Sequence, residues 1–279
     1  MMRFGNVLYD GKPRLVVSEG TSLYLTHLSD EAQLESTDAL LYGERDLLAL
    51  RREEVSPENV RFLPAVTHPE KVICVGRNYL AHIEQEHAEV PAAPCLFAKF
   101  PSSLTSHGAV VRPPRGVRQL DYEAELAVVI GKEARSIPEE RALDYVFGYS
   151  IANDVSARDL QFLTPQWLSG KAPDDFCPLG PWLVTADEIP APQRLYIRAW
   201  RNGQMVQDSN TARMIFPVSQ LLAYISNLIT LRPGDVILTG TPEGVEYGNE
   251  EPNWLKAGEL VEVEVEGLGR LSNTIGEER

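Results

Sequence analysis

An apolar run over residues 126–130 (LAVVI) constrains the fold of this chain more than any other feature. Apolar side chains at every position, ended by Gly131, indicate a strand that is buried on both faces. Glu123 and Glu125 stand just before this run. Because side chains alternate between the two faces of a strand, both glutamates should project from one face, roughly 6–7 Å apart along the chain. The pattern predicts a strand that enters the core with two carboxylates at its mouth.

These two carboxylates need an explanation, because like charges repel and their desolvation is costly without a compensating cation or donor. A divalent metal ion is the simplest compensation, and an edge strand with two solvated glutamates is the alternative. A third carboxylate, Asp154, follows a second predicted strand over residues 145–152 and precedes a helix-like stretch over residues 155–161. Either Asp154 caps that helix, or three carboxylates form a hard-cation site suited to Mg²⁺ or Mn²⁺.

Other metal and cofactor chemistries have little support in the sequence. The five histidines show no paired ligand spacing and the three cysteines form no Cys-x-x-Cys motif, so neither zinc nor an iron–sulfur cluster is indicated. The chain also lacks a Gly-x-Ser-x-Gly elbow, a Walker loop and a dinucleotide-binding Gly-x-Gly-x-x-Gly motif. Among metal cofactors, an oxygen-ligated divalent cation is therefore the one that these residues favour.

The charge balance limits the class of partner. With 26 basic and 40 acidic side chains, the formal net charge is -14, which argues against nucleic acid and against an anionic membrane surface. A small anionic substrate remains compatible if a few basic groups gather near a metal. Three scattered cysteines fit a reducing cytoplasm. The opening residues, MMRFG, lack the apolar stretch of a signal peptide, and we expect a cytoplasmic protein.

The N-terminal part of the chain shows no chemical groupings. Strands over residues 3–9 and 14–17 flank Asp10 and Gly11, a strong two-residue hairpin signal. Residues 31–55 show the irregular helical periodicity of one or two short helices. A connecting segment punctuated by three prolines follows. We therefore predict a small α+β domain over residues 1–68 and a catalytic domain over residues 69–279.

Strand patterns dominate the second domain. Strands are predicted over residues 72–75, 95–100, 236–239 and 261–266, together with a hairpin, residues 195–200 and 204–206, around Asn202-Gly203. The clearest helix is predicted over residues 219–231, where leucine and isoleucine recur at helical spacing. The sequence therefore predicts a β-rich α+β fold with a few helices packed outside it.

Several segments of this domain, taken in order, resemble the fumarylacetoacetate hydrolase family. They are residues 76–79 (GRNY) followed by His82, then 120–131, 153–161, 170–171 (GK), 177–182 (CPLGPW), 233–237 (PGDVI) and 239–245 (TGTPEGV). The resemblance implies a mixed β-roll that wraps around a metal cleft and assembles as a homodimer. It also implies that Glu123, Glu125 and Asp154 bind Mg²⁺ or Mn²⁺. Members act mainly on 2-keto acids, as acylpyruvate hydrolases, oxaloacetate decarboxylases and decarboxylase/isomerases.

The resemblance also suggests substrate-binding residues. Lys171 matches the family's active-site lysine and would neutralise the substrate carboxylate or hydrogen-bond the enolate, whereas the ordinary interpretation is a solvated loop residue. Arg77 could clamp a carboxylate in a bidentate pair, or form a surface ion pair. Gln161 and Thr241 could donate to the substrate, or be a helix-surface glutamine and a plain turn residue. Trp167 could line the pocket or only pack against it.

His82 is the predicted base for hydrolysis. Many family members carry a glutamate three residues after this histidine, but here Gln85 occupies that position. A neutral amide can fix a tautomer but cannot stabilise an imidazolium as a carboxylate does. Glu86 lies at i+4 on the same helical face and could substitute, whereas Glu84 would point elsewhere. The alternative is a partly exposed helix histidine without a role.

The sequence thus favours a metal-dependent enzyme that cleaves a C–C bond of a 2-keto or 2,4-dioxo acid through an enolate, by hydrolysis or decarboxylation. The alternative is an isomerase of the 2-hydroxyhepta-2,4-diene-1,7-dioate type, which needs a proton shuttle but no attacking water. A metal-binding protein without turnover is a further alternative.

Overall fold

The computed structural model describes residues 2–26, 37, 40 and 51–279. The strands are β1 Met2–Tyr9, β2 Lys12–Glu19, β3 Ser22–Thr26, β4 Arg51–Val55, β5 Arg61–Phe62, β6 Val72–Gly76, β7 Cys95–Lys99, β8 Leu104–Thr105, β9 Val110–Val111, β10 Leu120–Asp121, β11 Ala124–Ile130, β12 Val146–Asn153, β13 Ser156–Ala157, β14 Cys177–Pro178, β15 Leu183–Thr185, β16 Tyr196–Arg201, β17 Gln204–Asn210, β18 Val236–Leu238, β19 Leu260–Val265 and β20 Gly269–Ile275.

Helices are few and short in the described part of the chain. The α-helices are α1 Leu80–Gln85, α2 Arg158–Gln161, α3 Leu168–Lys171 and α4 Val218–Leu228. Short 3₁₀ helices lie at Pro57–Asn59, Pro101–Ser103, Glu139–Tyr145, Ala186–Glu188, Pro192–Arg194 and Thr211–Arg213. The predicted β-rich α+β class is confirmed.

Two sheets form the main layers of the fold. The larger sheet has the order β4-β3-β2-β1-β15-β12-β11-β18-β6-β7, with β5 paired to β1. It is mixed, because β11 is antiparallel to β12 and β18 whereas β18 is parallel to β6. The second sheet has the order β17-β16-β19-β20-β9. Its inward side chains share one core with those of β11 and β12, including Val128, Ile151, Ile197 and Val263.

The predicted N-terminal hairpin is confirmed. Strands β1 and β2 pair in register from Met2 with Glu19 to Tyr9 with Lys12, and Asp10 and Gly11 both have positive φ angles, 50° and 71°. Such angles are those of a type I′ turn, which matches the twist of the strands. Strand β1 also pairs with β15, so the N-terminal strands continue the large sheet. The boundary near residue 68 stays a prediction.

Two element predictions need correction. The helices predicted over residues 31–55 are wrong at their end, where β4 pairs with β3, and most of the remaining range lies outside the described residues. The exposed Glu53 and Glu54 of β4 suit a solvated edge strand, and this pairing outweighs helical propensity. Helix α4 ends at Leu228, earlier than the predicted residue 231. Beyond this end, Leu231 and Ala134 exchange two backbone hydrogen bonds, both at 2.9 Å.

The register of β11 and β12 positions the candidate site. Glu125 lies opposite Ala152, and Ala124 lies opposite Asn153. In an antiparallel pair, the beginning of one strand meets the end of the other. Side chains that precede β11 are therefore brought beside those that follow β12.

Close strand packing at Gly148 gives a stability test. A Cβ atom there would lie 2.1 Å from the carbonyl oxygen of Val184 in the neighbouring strand β15. We expect Gly148→Ala to lower the free energy of unfolding by about 3 kcal/mol, measured by urea denaturation. Gly11→Ala, at a positive φ with no atom within 4 Å, is the control and should cost about 1 kcal/mol. Equal losses of unfolding free energy in the two variants would show that β15 moves away from position 148 at no additional cost.

Candidate active site

Three carboxylates converge where β11 begins and β12 ends. Glu123 lies just before β11, Glu125 is its second residue, and Asp154 follows β12 directly. One potential ligand atom from each residue lies within 4.8 Å of those from the other two. All three residues are buried, with 5% or less of their surface exposed. The structure thus brings together the predicted metal ligands, although Glu123 lies outside the strand predicted to carry it.

Backbone hydrogen bonds hold this arrangement. The Glu123 amide donates to the side-chain oxygen of Asn153 at 2.9 Å, and the Asp154 amide donates to the Glu123 carbonyl at 2.9 Å. The Gly240 amide donates to Glu125 Oε2 at 2.6 Å. The backbones of Glu123 and Asp154 are therefore bonded to each other where the two strands meet, and the Gly240 amide orients the Glu125 carboxylate. The alternative of two solvated glutamates on an edge strand is wrong.

The capping role considered for Asp154 is also wrong. Residues 156–157 form the short strand β13, which pairs with β10, and helix α2 begins only at Arg158. Ala157 occupies the N-cap position without a side-chain hydrogen bond. The pairing of β13 with β10 delays the helix and leaves the Asp154 carboxylate in the cluster.

Lys171 is a buried member of this cluster, so the interpretation as a solvated loop residue is wrong. Its ammonium lies 2.7 Å from Glu123 Oε2 and 3.0 Å from Asp154 Oδ2, and 2% of the residue is exposed. It ends helix α3, which lies against residues 157–161. The preceding Gly170 permits this contact, because a Cβ atom there would lie 2.4 Å from both the Ala157 carbonyl oxygen and the Gln161 nitrogen.

Lys99 is a site residue that the sequence analysis missed. Its ammonium lies 2.6 Å from Asp154 Oδ1 and donates to the carbonyls of Val155, at 3.1 Å, and Phe176, at 2.8 Å, as well as to that of Lys171. The side chain is fully buried. A lysine in a predicted strand of otherwise apolar residues was the available signal, because a buried ammonium requires an anionic partner.

Arg158 was noted only as part of a motif, yet it joins two of the acidic groups. Its guanidinium lies 2.7 Å from Glu123 Oε1 and 2.8 Å from Asp121 Oδ2, and it donates to Gln161 Oε1 at 3.0 Å. Asp121 also accepts the backbone amides of Glu246 and Tyr247, at 3.0 and 3.1 Å. The guanidinium therefore connects the carboxylate cluster to the loop after residue 241.

Electrostatics support a cation at this cluster. Burial raises the pKa of Glu125 well above its usual value, and the neighbouring Asp154 and Glu123 raise it further. Burial alone would also raise the pKa of Glu123, but Lys171 and Arg158 outweigh this effect and lower it to about 2. A divalent cation would relieve the repulsion at Glu125. Three oxygen-donor side chains at this spacing fit a hard divalent ion.

The second group of candidate residues lies on helix α1 and directly after its end. His82 is buried, and its Nε2 lies 3.3 Å from Glu86 Oε1. The other oxygen of Glu86 accepts from Arg77 Nε at 2.9 Å. Gln85 does not contact the imidazole and instead bonds to the loop at residues 244–249, while Glu84 is exposed as expected. The alternative of an exposed histidine is wrong.

The environment of His82 favours a neutral imidazole. Burial lowers the pKa of His82 below its ordinary value, with Arg158 and Lys171 acting in the same direction against Glu86 and Glu123. Glu86 is acceptor-only, so the Nε2 nitrogen is assigned the proton and Nδ1 is left as the acceptor. This Nδ1 atom is buried without a hydrogen-bond partner in the described part of the structure.

Residues of both groups, Glu123 and Lys171 from the first and His82 and Glu86 from the second, face one narrow cleft. Trp167 forms part of its wall, since its ring lies against Gly76 and 5.6 Å from the Arg77 guanidinium. Gln161 is buried and accepts from Arg158, and Thr241 is buried and accepts from Gln207 at 2.9 Å. The cleft is lined by Val75, Gly76, Arg77, His82, Glu86, Glu123, Arg158, Gln161, Trp167, Lys171 and Thr241.

Similarity to known proteins agrees with this geometry. The 45%-identical "Oxaloacetate tautomerase fahd2, mitochondrial" of Xenopus laevis matches over 244 residues, which are 87% of this chain and 76% of that protein. The human "Oxaloacetate tautomerase FAHD2A, mitochondrial" is 44% identical over 245 residues, 87% of this chain and 78% of that protein. Among the described residues, no helix is long and apolar enough to cross a membrane.

Solved structures show the same fold. A fumarylacetoacetate hydrolase from the psychrophile Exiguobacterium antarcticum has a TM-score of 0.90 at 35% identity, and all of both chains is covered. A 2-hydroxyhepta-2,4-diene-1,7-dioate isomerase from Mycobacterium marinum has a TM-score of 0.80 at 30% identity, with 99% of each chain covered. The family described as "Fumarylacetoacetate (FAA) hydrolase C-terminal" matches residues 71–276. The chain therefore belongs to the fumarylacetoacetate hydrolase family.

Proposed function

We propose that this protein is an enzyme that interconverts the enol and keto forms of a short dicarboxylic 2-keto acid of the oxaloacetate type. The observation that carries the proposal is the buried His82 Nδ1, an acceptor without a partner among the described residues, on a histidine that lines the same cleft as Glu123 and Lys171. Tautomerisation moves one proton between oxygen and carbon, and a neutral buried base is suited to this transfer. The relatives named oxaloacetate tautomerase support this substrate class.

The charge of the site favours an anion once a divalent cation is present. Four acidic and three basic side chains form one buried network: Asp121, Glu123, Glu125, Asp154, Lys99, Arg158 and Lys171. If all are ionised, their net charge of minus one becomes plus one when a divalent ion binds. Mg²⁺ or Mn²⁺ held by Glu123, Glu125 and Asp154 would stabilise the negative charge that develops on the substrate oxygen.

The protein's own residues would then bind, orient and move a proton. Lys171, Arg77, Gln161 and Thr241 line the cleft and offer the donors that two substrate carboxylates require. His82 Nδ1 would accept the proton from the enol oxygen and donate it to the carbon of the same molecule, or carry out the reverse transfer. Glu86 would hold the imidazole through Nε2 and stabilise its protonated form.

C–C bond cleavage of a 2-keto acid, favoured by the sequence analysis, is the second candidate. The contact between Glu86 and the buried His82 supports it, because a histidine oriented by a carboxylate could also activate water. Release of pyruvate from oxaloacetate or acetylpyruvate distinguishes cleavage from tautomerisation, since the latter changes no C–C bond.

We further expect that the chain assembles as a homodimer and is located in the cytoplasm.

Replacement of the base tests the proposed reaction. We expect His82→Asn to slow enol-to-keto conversion of oxaloacetate by about 10²- to 10⁴-fold in kcat, because the proton acceptor is lost. The measurement is the decay of enol absorbance by stopped flow with Mg²⁺ or Mn²⁺, corrected for the spontaneous rate, and Glu84→Gln in the same helix is the control. A wild-type rate in His82→Asn would overturn the proposed role.

The pH dependence gives a second test. Burial lowers the pKa of His82 from 6.5, and a bound cation would lower it further, so the imidazole should remain an active base throughout the neutral range. We expect kcat/KM to be level at neutral pH and to fall only as the pH decreases through a value below 6.5. An acid limb centred above pH 6.5 would contradict this assignment.

Metal binding provides a third test, independent of turnover. We expect calorimetric titration to show one Mn²⁺ per chain, and Glu125→Gln to weaken binding at least 100-fold, about 2.7 kcal/mol, because one charged ligand is lost. In EDTA the variant should melt at or above the wild-type Tm, since the repulsion between buried carboxylates is relieved. An equal rise in Tm on adding Mn²⁺ to both proteins would exclude Glu125 as a ligand.

A further inference from the structure

We infer that Gln85 and Glu86 divide two tasks that cannot be exchanged: Gln85 is a positioning residue that fastens helix α1 to the loop at residues 244–249, and Glu86 orients His82. The sequence left open which of these neighbours serves the histidine. The inference deepens the proposed function and rests on it for its kinetic consequences, whereas its structural part stands on contacts alone.

The Gln85 amide uses both of its ends. Its oxygen accepts from the Gly244 amide at 2.9 Å. Its nitrogen donates to the Val245 carbonyl at 2.7 Å and to Asn249 Oδ1 at 2.9 Å. A backbone N–H can only donate and a backbone carbonyl can only accept, so these partners determine which end of the amide faces each of them.

The orientation of Asn249 agrees with this assignment. Its Nδ2 donates to Glu246 Oε2 and to the Val245 carbonyl, both at 3.3 Å, so its Oδ1 is left to accept from Gln85. A glutamate at position 85 would place a carboxylate oxygen against two acceptors. The site therefore requires a side chain that donates at one end and accepts at the other, and a carboxylate does not meet this requirement.

The loop approaches the helix closely at a glycine. Gly248 has a φ of +92°, and a Cβ atom there would lie 2.4 Å from the carbonyl oxygen of Gln85. The backbones of loop and helix are thus in direct contact beside the three side-chain hydrogen bonds. Together these contacts fix the distance between α1 and the loop.

The same loop reaches the carboxylate cluster. Its Glu246 and Tyr247 amides donate to Asp121, which pairs with Arg158, and the Tyr247 ring lies 5.3 Å from the Arg158 guanidinium. Gln85 therefore links the helix that carries the proposed base to the network that surrounds Glu123. Loss of this link should change the distance between the base and the substrate-binding groups.

Glu86 faces a different direction from Gln85. Consecutive helical residues point about 100° apart, and here the Gln85 amide reaches the loop whereas the Glu86 carboxylate reaches His82. The Glu86 carboxylate contacts His82 and Arg77, and its side chain is only 5% exposed. It follows that a carboxylate at position 85 and an amide at position 86 would impair both tasks.

The test compares Gln85→Ala, Gln85→Glu, Glu86→Gln and the exchange double variant Gln85→Glu/Glu86→Gln with Glu84→Gln as the control for charge and helix. Hydrogen–deuterium exchange reports the link without any need for turnover. We expect both Gln85 variants and the double variant to exchange about tenfold faster in residues 80–86 and 244–249. Glu86→Gln and Glu84→Gln should keep wild-type protection there.

Kinetics separate the two tasks. Gln85→Ala should raise KM about tenfold and leave the acid limb of the kcat/KM profile in place, because Glu86 remains. Glu86→Gln should lower kcat at least tenfold and move that limb to lower pH, since the carboxylate that favours the imidazolium is gone. We expect the double variant to show both defects.

Wild-type protection in Gln85→Ala and Gln85→Glu would overturn the positioning role, and wild-type kcat/KM in the double variant would show that the residues are exchangeable. An unchanged acid limb in Glu86→Gln would remove Glu86 from His82. If no protein in the series, including the wild type, tautomerises oxaloacetate, the proposed function fails, but the exchange data still decide whether Gln85 holds the loop.

Discussion

Charge compensation in the buried network is the constraint on which the rest of the structure depends. Taking an ion out of water costs several kcal/mol even after relaxation, and removal of one partner of a buried pair costs about 3–5 kcal/mol. Here Lys99 and Lys171 flank Asp154 from two sides, and Arg158 bridges Asp121 and Glu123. The buried cluster of carboxylates can therefore fold, because nearby ammonium and guanidinium groups compensate much of its negative charge.

The register of β11 and β12 brings the residues of the candidate site together. Because β11 and β12 are antiparallel, residues far apart in the chain meet at one end of the pair. Gly170 lets α3 lie against residues 157–161, and Gly240 lets the loop at residues 239–244 lie against Val75 and Asn78. A Cβ atom at Gly240, whose φ is +96°, would lie 2.7 Å from Asn78 Cβ. The strands and the residues next to them thus hold the carboxylates, whereas helix α1 carries the proposed base, His82.

Some of this site was accessible from the sequence and some was not. The buried run after Glu125 and the position of Asp154 were sufficient to predict an acidic cluster, because strand periodicity is local. Lys99 was not predicted, because its partner Asp154 lies 55 residues away and only the fold brings the two together. The division between Gln85 and Glu86 depends on a loop 160 residues downstream. Residues 51–55 were predicted to be helical but form the edge strand β4, because pairing with β3 outweighs their helical propensity.

The pairing of β1 with β15 has a consequence for the family-matching segment, residues 71–276. That segment alone would end its large sheet at β15, leaving the hydrogen-bonding groups of residues 183–184 on the β1 side without their partners. An open flank of this kind is a template for another chain. The first hairpin therefore covers an edge at which the sheet of the candidate site could otherwise pair with another chain.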